Sequence, residues 1–226
     1  MTRFPTRHEV PEFTVFASLL RMTTKYGLSD VRNQLIKDVN GAYPTKWEVY
    51  HAAEVLGEDV FGSPKPHPNA VLNLFLEQNI RTALPFAAYR ASIDGFLAIM
   101  SDTPGTVLPR QTLATTINGM HLVQVFMVKL ACIIAYEGNL LAACADGKCV
   151  LSAGLIPVQR RKEALRTLHD ALLVKRDGGE LGPLSLGDLV CDMCAKGMHA
   201  AHVIGRSMCW DRLPSMFSVA KSWDDV

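Results

Sequence analysis

Apolar residues recur at intervals of three and four along almost the whole chain, a spacing typical of helices that bury one face. Two stretches rich in glycine and proline, residues 57–68 and 177–187, interrupt this pattern and predict loops. No run alternates apolar and polar residues for long enough to predict a strand. The sequence therefore predicts an all-α fold, an irregular multi-helix bundle with long loops.

Start and stop signals delimit the predicted helices. The first helix has four apolar residues on one side, namely Val15, Leu19, Leu20 and Met22. Gly27 suits the left-handed position that often follows a helix, and Ser29 is expected to cap the second helix. The last long helix is predicted over residues 189–213, and Pro214 is expected to end it.

The charge balance argues against nucleic acid as a partner. The chain has 23 basic and 22 acidic residues and a net charge of +1, so it lacks the basic excess that binds phosphates. The most apolar stretch, residues 122–136, is too short to cross a bilayer and contains Gln124 and Lys129. The N-terminus has no signal-peptide pattern. We therefore expect an intracellular protein, cytoplasmic or nuclear, that does not enter membranes.

Two close cysteine pairs form the strongest chemical pattern. Cys144 and Cys149 are separated by four residues, and Cys191 and Cys194 by two. In a reducing compartment such pairs favour metal binding over disulfides. Four thiolates complete a tetrahedral zinc site and leave no open position for a substrate. The pattern predicts one structural zinc ion that joins a loop to the start of a helix.

Two other interpretations of these cysteines stay open. They can be unmetallated thiols packed in the core, or a redox pair, although the redox interpretation needs a strand before the motif. His199 and His202 follow closely enough for either to replace a ligand, although each is expected to be a surface histidine. Cys132 and Cys209 are expected to be free buried thiols.

Catalysis is not expected. The sequence contains no nucleophile elbow, phosphate-binding loop, dinucleotide-binding motif or metalloprotease motif. His121 lies between apolar neighbours and is expected to be a buried core histidine. We found no arrangement of nucleophile, base and oxyanion donor.

Three stretches share motifs with a known family. Residues 16–44 contain LLRMTTKY and a Tyr-Pro turn, and residues 68–92 contain an aliphatic helix followed by a Leu-Pro and a tyrosine. Residues 190–217 contain the Cys-x2-Cys pair, a helix and the sequence WDRLP. Together these stretches resemble the basidiomycete fungal family of BTB/POZ-domain proteins, in the helical region that follows most of the BTB domain.

The resemblance implies three segments: residues 1–44 resembling the end of a BTB/POZ domain, a helical region over 45–137, and a cysteine-containing helical region over 138–226. It also implies a non-enzymatic adaptor that contacts protein partners of unknown identity. In that family, homodimerisation and cullin binding depend mainly on the BTB body, which is absent here. The resemblance therefore does not imply them for this chain. The alternative function is a zinc-dependent regulator of transcription or of nucleic acid.

Overall fold

A computed structural model describes residues 12–56, 65–93, 96–100, 103–132 and 192–226. Of these residues 77% are helical and none is in a strand, which confirms the predicted all-α class. The helices are α1 (Phe13–Lys25), α2 (Ser29–Ala42), α3 (Trp47–Leu56), α4 (Pro68–Glu77), α5 (Leu84–Ile93), α6 (Phe96–Ile99), α7 (Arg110–Cys132), α8 (Asp192–Asp211) and α9 (Leu213–Met216). Short 3₁₀ turns occupy Arg81–Ala83 and Trp223–Asp225.

Three helices end in the same hydrogen-bonded turn. After α1, Gly27 has φ +66°, and the Leu28 amide donates to the Thr23 carbonyl at 2.9 Å. Asn79 (φ 52°) and Ser218 (φ 56°) hold the same left-handed position after α4 and α9. In each turn, backbone amides beyond the helix donate hydrogen bonds to carbonyls of the last helical turn, which have no partner within the helix. The predicted role of Gly27 is confirmed.

The start of α2 differs from the prediction. Ser29 is the first residue of the helix, and the preceding Leu28 is the N-cap, without a side-chain hydrogen bond. The Leu28 carbonyl accepts from the Arg32 amide at 3.0 Å, and the Leu28 amide is used in the turn after α1. Because the turn after α1 leads directly into α2, the cap position falls one residue before the serine.

The chain divides into two compact units, Met1–Met120 with Leu213–Val226, and His121–Arg212. In the first unit α4 is the central helix, with Asn69, Val71, Leu72, Leu74 and Phe75 almost completely buried. Helix α5 packs against it and buries residues on all its sides. Such a distribution is typical of a helix that is covered on every side by its neighbours.

Aromatic rings from four helical segments fill one part of this core. Tyr43 lies edge-on to Phe75, with ring centroids 4.9 Å apart, and 5.4 Å from Phe86. Tyr50 of α3 meets Phe86 at 5.1 Å. These tilted and edge-on arrangements are the favoured ones for aromatic pairs. They attach α3 and the segment before it to α4 and α5.

The C-terminal segment completes the first unit. The sequence predicts that Pro214 ends a helix, but it is the second residue of α9. A proline is tolerated there because it lies in the first turn of the helix. Leu213 and Phe217 are buried, and α9 packs against α5. The Phe217 ring occupies the space that a Cβ atom at Gly119 of α7 would need. Glycine at 119 therefore permits this close contact.

The second unit contains the remainder of α7 and helix α8. Gly205 of α8 lies so close to the Leu130 side chain that a Cβ atom would clash with it. Arg212 lies over the Phe126 ring, 5.2 Å from its centroid. Cys209 is a free, buried thiol, as predicted. Residues 57–64 and 133–191, which include most of the predicted loops, lie outside the described residues.

Candidate interaction surface

Helix α1 has two apolar faces instead of one. Its buried residues are Phe16, Ala17, Leu20 and Thr23. A second set at a different helical phase is Val15, Leu19, Met22 and Tyr26, the last being the C-cap residue. At 3.6 residues per turn, this second set falls within a sector of about 60° that lies roughly 130° from the buried face. We call it the α1 stripe.

The α1 stripe is exposed to solvent. Val15, Met22 and Tyr26 have exposed fractions of 46%, 53% and 61%, and Leu19 is half-buried. The sequence pattern predicts Val15, Leu19, Leu20 and Met22 on one side of the helix. This is wrong for Leu20, which is fully buried while Val15 and Met22 are exposed. The four stripe residues expose roughly 350–400 Å² in total, the size of patch that often marks an interaction site.

A bidentate ion pair fixes α1 to the central helix. Arg21 donates from Nε to Glu77 Oε1 at 2.9 Å and from Nη2 to Oε2 at 2.7 Å. The hydrogen bonds from Arg21 hold the pKa of Glu77 below its ordinary value, and those to Glu77 raise the pKa of Arg21. Both side chains are about half exposed, so the pair orients α1 more than it stabilises the fold.

A smaller polar network joins α1, α2 and the end of α4. The Thr24 hydroxyl lies 2.7 Å from Gln78 Oε1 and accepts a hydrogen bond from Arg32 Nε at 3.2 Å. Arg32 Nη2 also donates to the Gln78 carbonyl at 2.8 Å, at the C-cap of α4. These contacts lie on the side of α1 away from the stripe. They fix the helix without covering the stripe residues.

A second group of exposed apolar side chains surrounds α6. Phe96, Leu97, Met100 and Val107 are all exposed, and Leu97 reaches 86%. The segment is anchored from α4, where Asn69 Nδ2 donates to the Ile99 carbonyl and Asn73 Nδ2 to the Val107 carbonyl. Its side chains share no single helical face, so it matches a regular partner less well than the α1 stripe does.

The predicted zinc ligands fall largely outside the described residues. Cys144, Cys149 and Cys191 lie there entirely. Cys194 is the third residue of α8, but its side chain is not described. In the described part of the chain, no three His, Cys, Asp or Glu side chains are placed to hold a metal ion. The zinc site stays a prediction.

Two other titratable side chains in the described ranges have raised pKa values. Burial raises the pKa of the Cys209 thiol to about 12, which makes it a poor nucleophile. Burial also raises the pKa of Tyr43. His121, predicted to be buried, is exposed, because it lies on the outer side of α7 and not on the side of Val123 and Met127.

Comparison with family models, with curated proteins and with solved structures finds no match to this chain. Among the described helices, none combines the length and the hydropathy needed to span a membrane. The surface is described by its own chemistry. That chemistry is an exposed, ordered apolar stripe on a helix whose opposite side is fixed by polar contacts.

Proposed function

We propose that this chain is a non-enzymatic protein–protein interaction module that acts inside the cell and binds its partner through the α1 stripe. The observation that carries the proposal is the exposure of Met22 and Tyr26 on a helix whose other apolar face is fully buried. Exposed apolar residues on a helix held in one orientation lose little entropy on binding, which favours docking of another protein.

The family resemblance supports the same function. Its first stretch, residues 16–44, includes most of the α1 stripe and two residues of the polar network, Thr24 and Arg32. The fungal BTB/POZ proteins that it resembles would use this helical region for protein contacts. The near-neutral net charge of +1 is also suited to a protein partner.

A structural zinc ion is a second part of the proposal. The described part of α8 starts at Asp192, directly after Cys191, and Cys194 is its third residue. Two cysteines at this spacing near a helix N-terminus are well suited to hold a metal, because the helix dipole stabilises thiolates. With Cys144 and Cys149, they would supply four ligands to a site that stabilises the fold and performs no chemistry.

Affinity capture with matched surface variants tests the proposed function. Met22→Glu places a charge in the middle of the α1 stripe, and Leu97→Glu places one in the other exposed apolar group. We expect specific partners to be retained by the unchanged chain and by Leu97→Glu, and to be lost with Met22→Glu. Circular dichroism of both variants should show unchanged helix content, because both positions are exposed.

The proposal fails if the two variants capture the same proteins as the unchanged chain. Loss with Leu97→Glu alone would move the interaction surface to the α6 segment. Either result is distinct from misfolding, which the helix content and the melting temperature report independently.

A further inference from the structure

The exposed face of α1 has a spacing that fits one kind of occupant. Val15, Leu19, Met22 and Tyr26 follow one another at intervals of four, three and four residues. This is the spacing of the d and a positions of a coiled-coil seam, which packs against another helix with knobs in holes. An extended peptide or a flat surface would not use this periodicity.

We propose that the occupant is the α1 stripe of a second copy of this chain, packed antiparallel across a two-fold axis. The inference rests on the proposed function, since it names the partner of the same surface. In this arrangement Val15 faces Tyr26 of the other copy, and Leu19 faces its Met22.

The sizes of the side chains favour the antiparallel arrangement. The smallest residue of the stripe, Val15, meets the largest, Tyr26, and the two residues of similar volume, Leu19 and Met22, meet each other. Every layer of the seam is then filled to a similar extent. A parallel arrangement would place two tyrosines in one layer and two valines in another, leaving one layer crowded and one with a void.

The charges favour the same arrangement. The stripe contains no charged side chain, and Lys25 lies at its C-terminal end, with its Nζ 5.5 Å from the centre of the Tyr26 ring. Parallel helices would place both Lys25 ammonium groups at the same end of the seam, whereas antiparallel helices place them at opposite ends. On that flank Lys25 would face the neutral Ser18 of the other copy.

The area of the contact sets the expected strength. Two fully covered stripes bury roughly 700–800 Å² of surface, below the standard size of a stable interface. We therefore expect a weak, reversible dimer that is populated only as the concentration of the chain rises.

Sedimentation equilibrium of the full chain, over about 1–200 µM, tests self-association. The average mass should rise from one chain toward two across this range. Met22→Glu should weaken the dimer at least tenfold and keep the average mass near one chain, while Leu97→Glu should follow the unchanged chain. A single-chain mass for the unchanged protein at every concentration overturns the inference.

A charge-exchange variant tests the orientation. Leu19→Glu combined with Met22→Lys places opposite charges face to face in an antiparallel dimer and like charges face to face in a parallel one. We expect the double variant to dimerise and each single variant to be monomeric at the same concentration. A monomeric double variant with unchanged helix content contradicts the antiparallel pairing.

The two proposals fail in distinguishable ways. If the unchanged chain is monomeric but Met22→Glu loses captured proteins, the interaction function stands and the partner is a helix of another protein. If the chain dimerises and the dimer is insensitive to Met22→Glu, self-association uses another surface and the inference is wrong.

Discussion

Single residues decide where this chain can pack closely. Gly119 and Gly205 lie where the Phe217 and Leu130 side chains leave no space for a Cβ atom. The sequence could not reveal either role, because each depends on a residue distant along the chain. By contrast, Gly27 could be predicted, since a left-handed residue after a helix is a local requirement.

Replacing Gly119 with alanine should destabilise the first unit by about 1–3 kcal/mol, because the new methyl group displaces the buried Phe217 ring. Gly41→Ala is the matched control: it lies in α2 with nothing within 4 Å of a new Cβ atom. There the change should stabilise the chain by up to about 1 kcal/mol. Urea unfolding measures both, and equal effects at the two positions would contradict the packing argument.

The Cys209 thiol should resist alkylation in the folded chain. Burial excludes the reagent and raises the pKa to about 12, so very little thiolate exists near pH 8. Mass spectrometry after iodoacetamide treatment should show this cysteine modified many times more slowly than in urea-unfolded chain. Rapid labelling of Cys209 under native conditions would show that the second unit opens at this position.

At the scale of the element, α1 shows how far a hydrophobic pattern leads. Its helical state and its end were predictable from residue spacing and from Gly27. Its buried face was not, because the helix carries two apolar sets, and the elements that pack against it, α2 among them, decide which set is buried. Apolar residues on more than one side of α1 are the feature of the sequence that could have indicated an exposed apolar face.

The ion pair between α1 and α4 should make stability depend on pH. The pKa of Glu77 is lowered from its ordinary value of 4.5, so its contribution is present above that pH and is lost as the pH falls through the lowered value. Glu77→Gln should cost about 0.3–1 kcal/mol at pH 7, as an exposed pair does.

The cost of Glu77→Gln should disappear in strong acid, where the glutamate is itself protonated. Urea unfolding at several pH values measures it, and the double variant with Arg21→Met isolates the pair. An effect that persists unchanged in acid, or in Arg21→Met, would assign the stabilisation to packing of the side chain.

At the scale of the whole molecule, the sequence predicted the class of fold but not its arrangement. The spacing of apolar residues predicted helices along the described ranges. It could not predict that α9 would join the first unit, because its contact with α5 links residues far apart in the chain. The metal prediction likewise requires Cys144 and Cys194, which are far apart in the chain, to lie close together in space. Their spacing in the sequence does not determine this.

Metal analysis of chain purified without chelator tests the zinc prediction. We expect about one zinc ion per chain, released by Cys191→Ser, with a clear fall in melting temperature, since structural zinc contributes several kcal/mol to folding. Cys209→Ser is the control, because Cys209 is not among the predicted ligands. Zinc-free protein whose melting temperature is the same with Cys191→Ser would remove the prediction.

The hydrogen bond from Arg32 to the Gln78 carbonyl would be lost if the chain were shortened from its N-terminus. The last turn of α4 relies on a side chain that comes earlier in the sequence, and the same end of α4 is tied to α1 through Glu77. A shorter protein that starts at Thr45 would lose both contacts and uncover Phe75, which is otherwise fully buried. The first two helices therefore cannot be removed as a detachable arm.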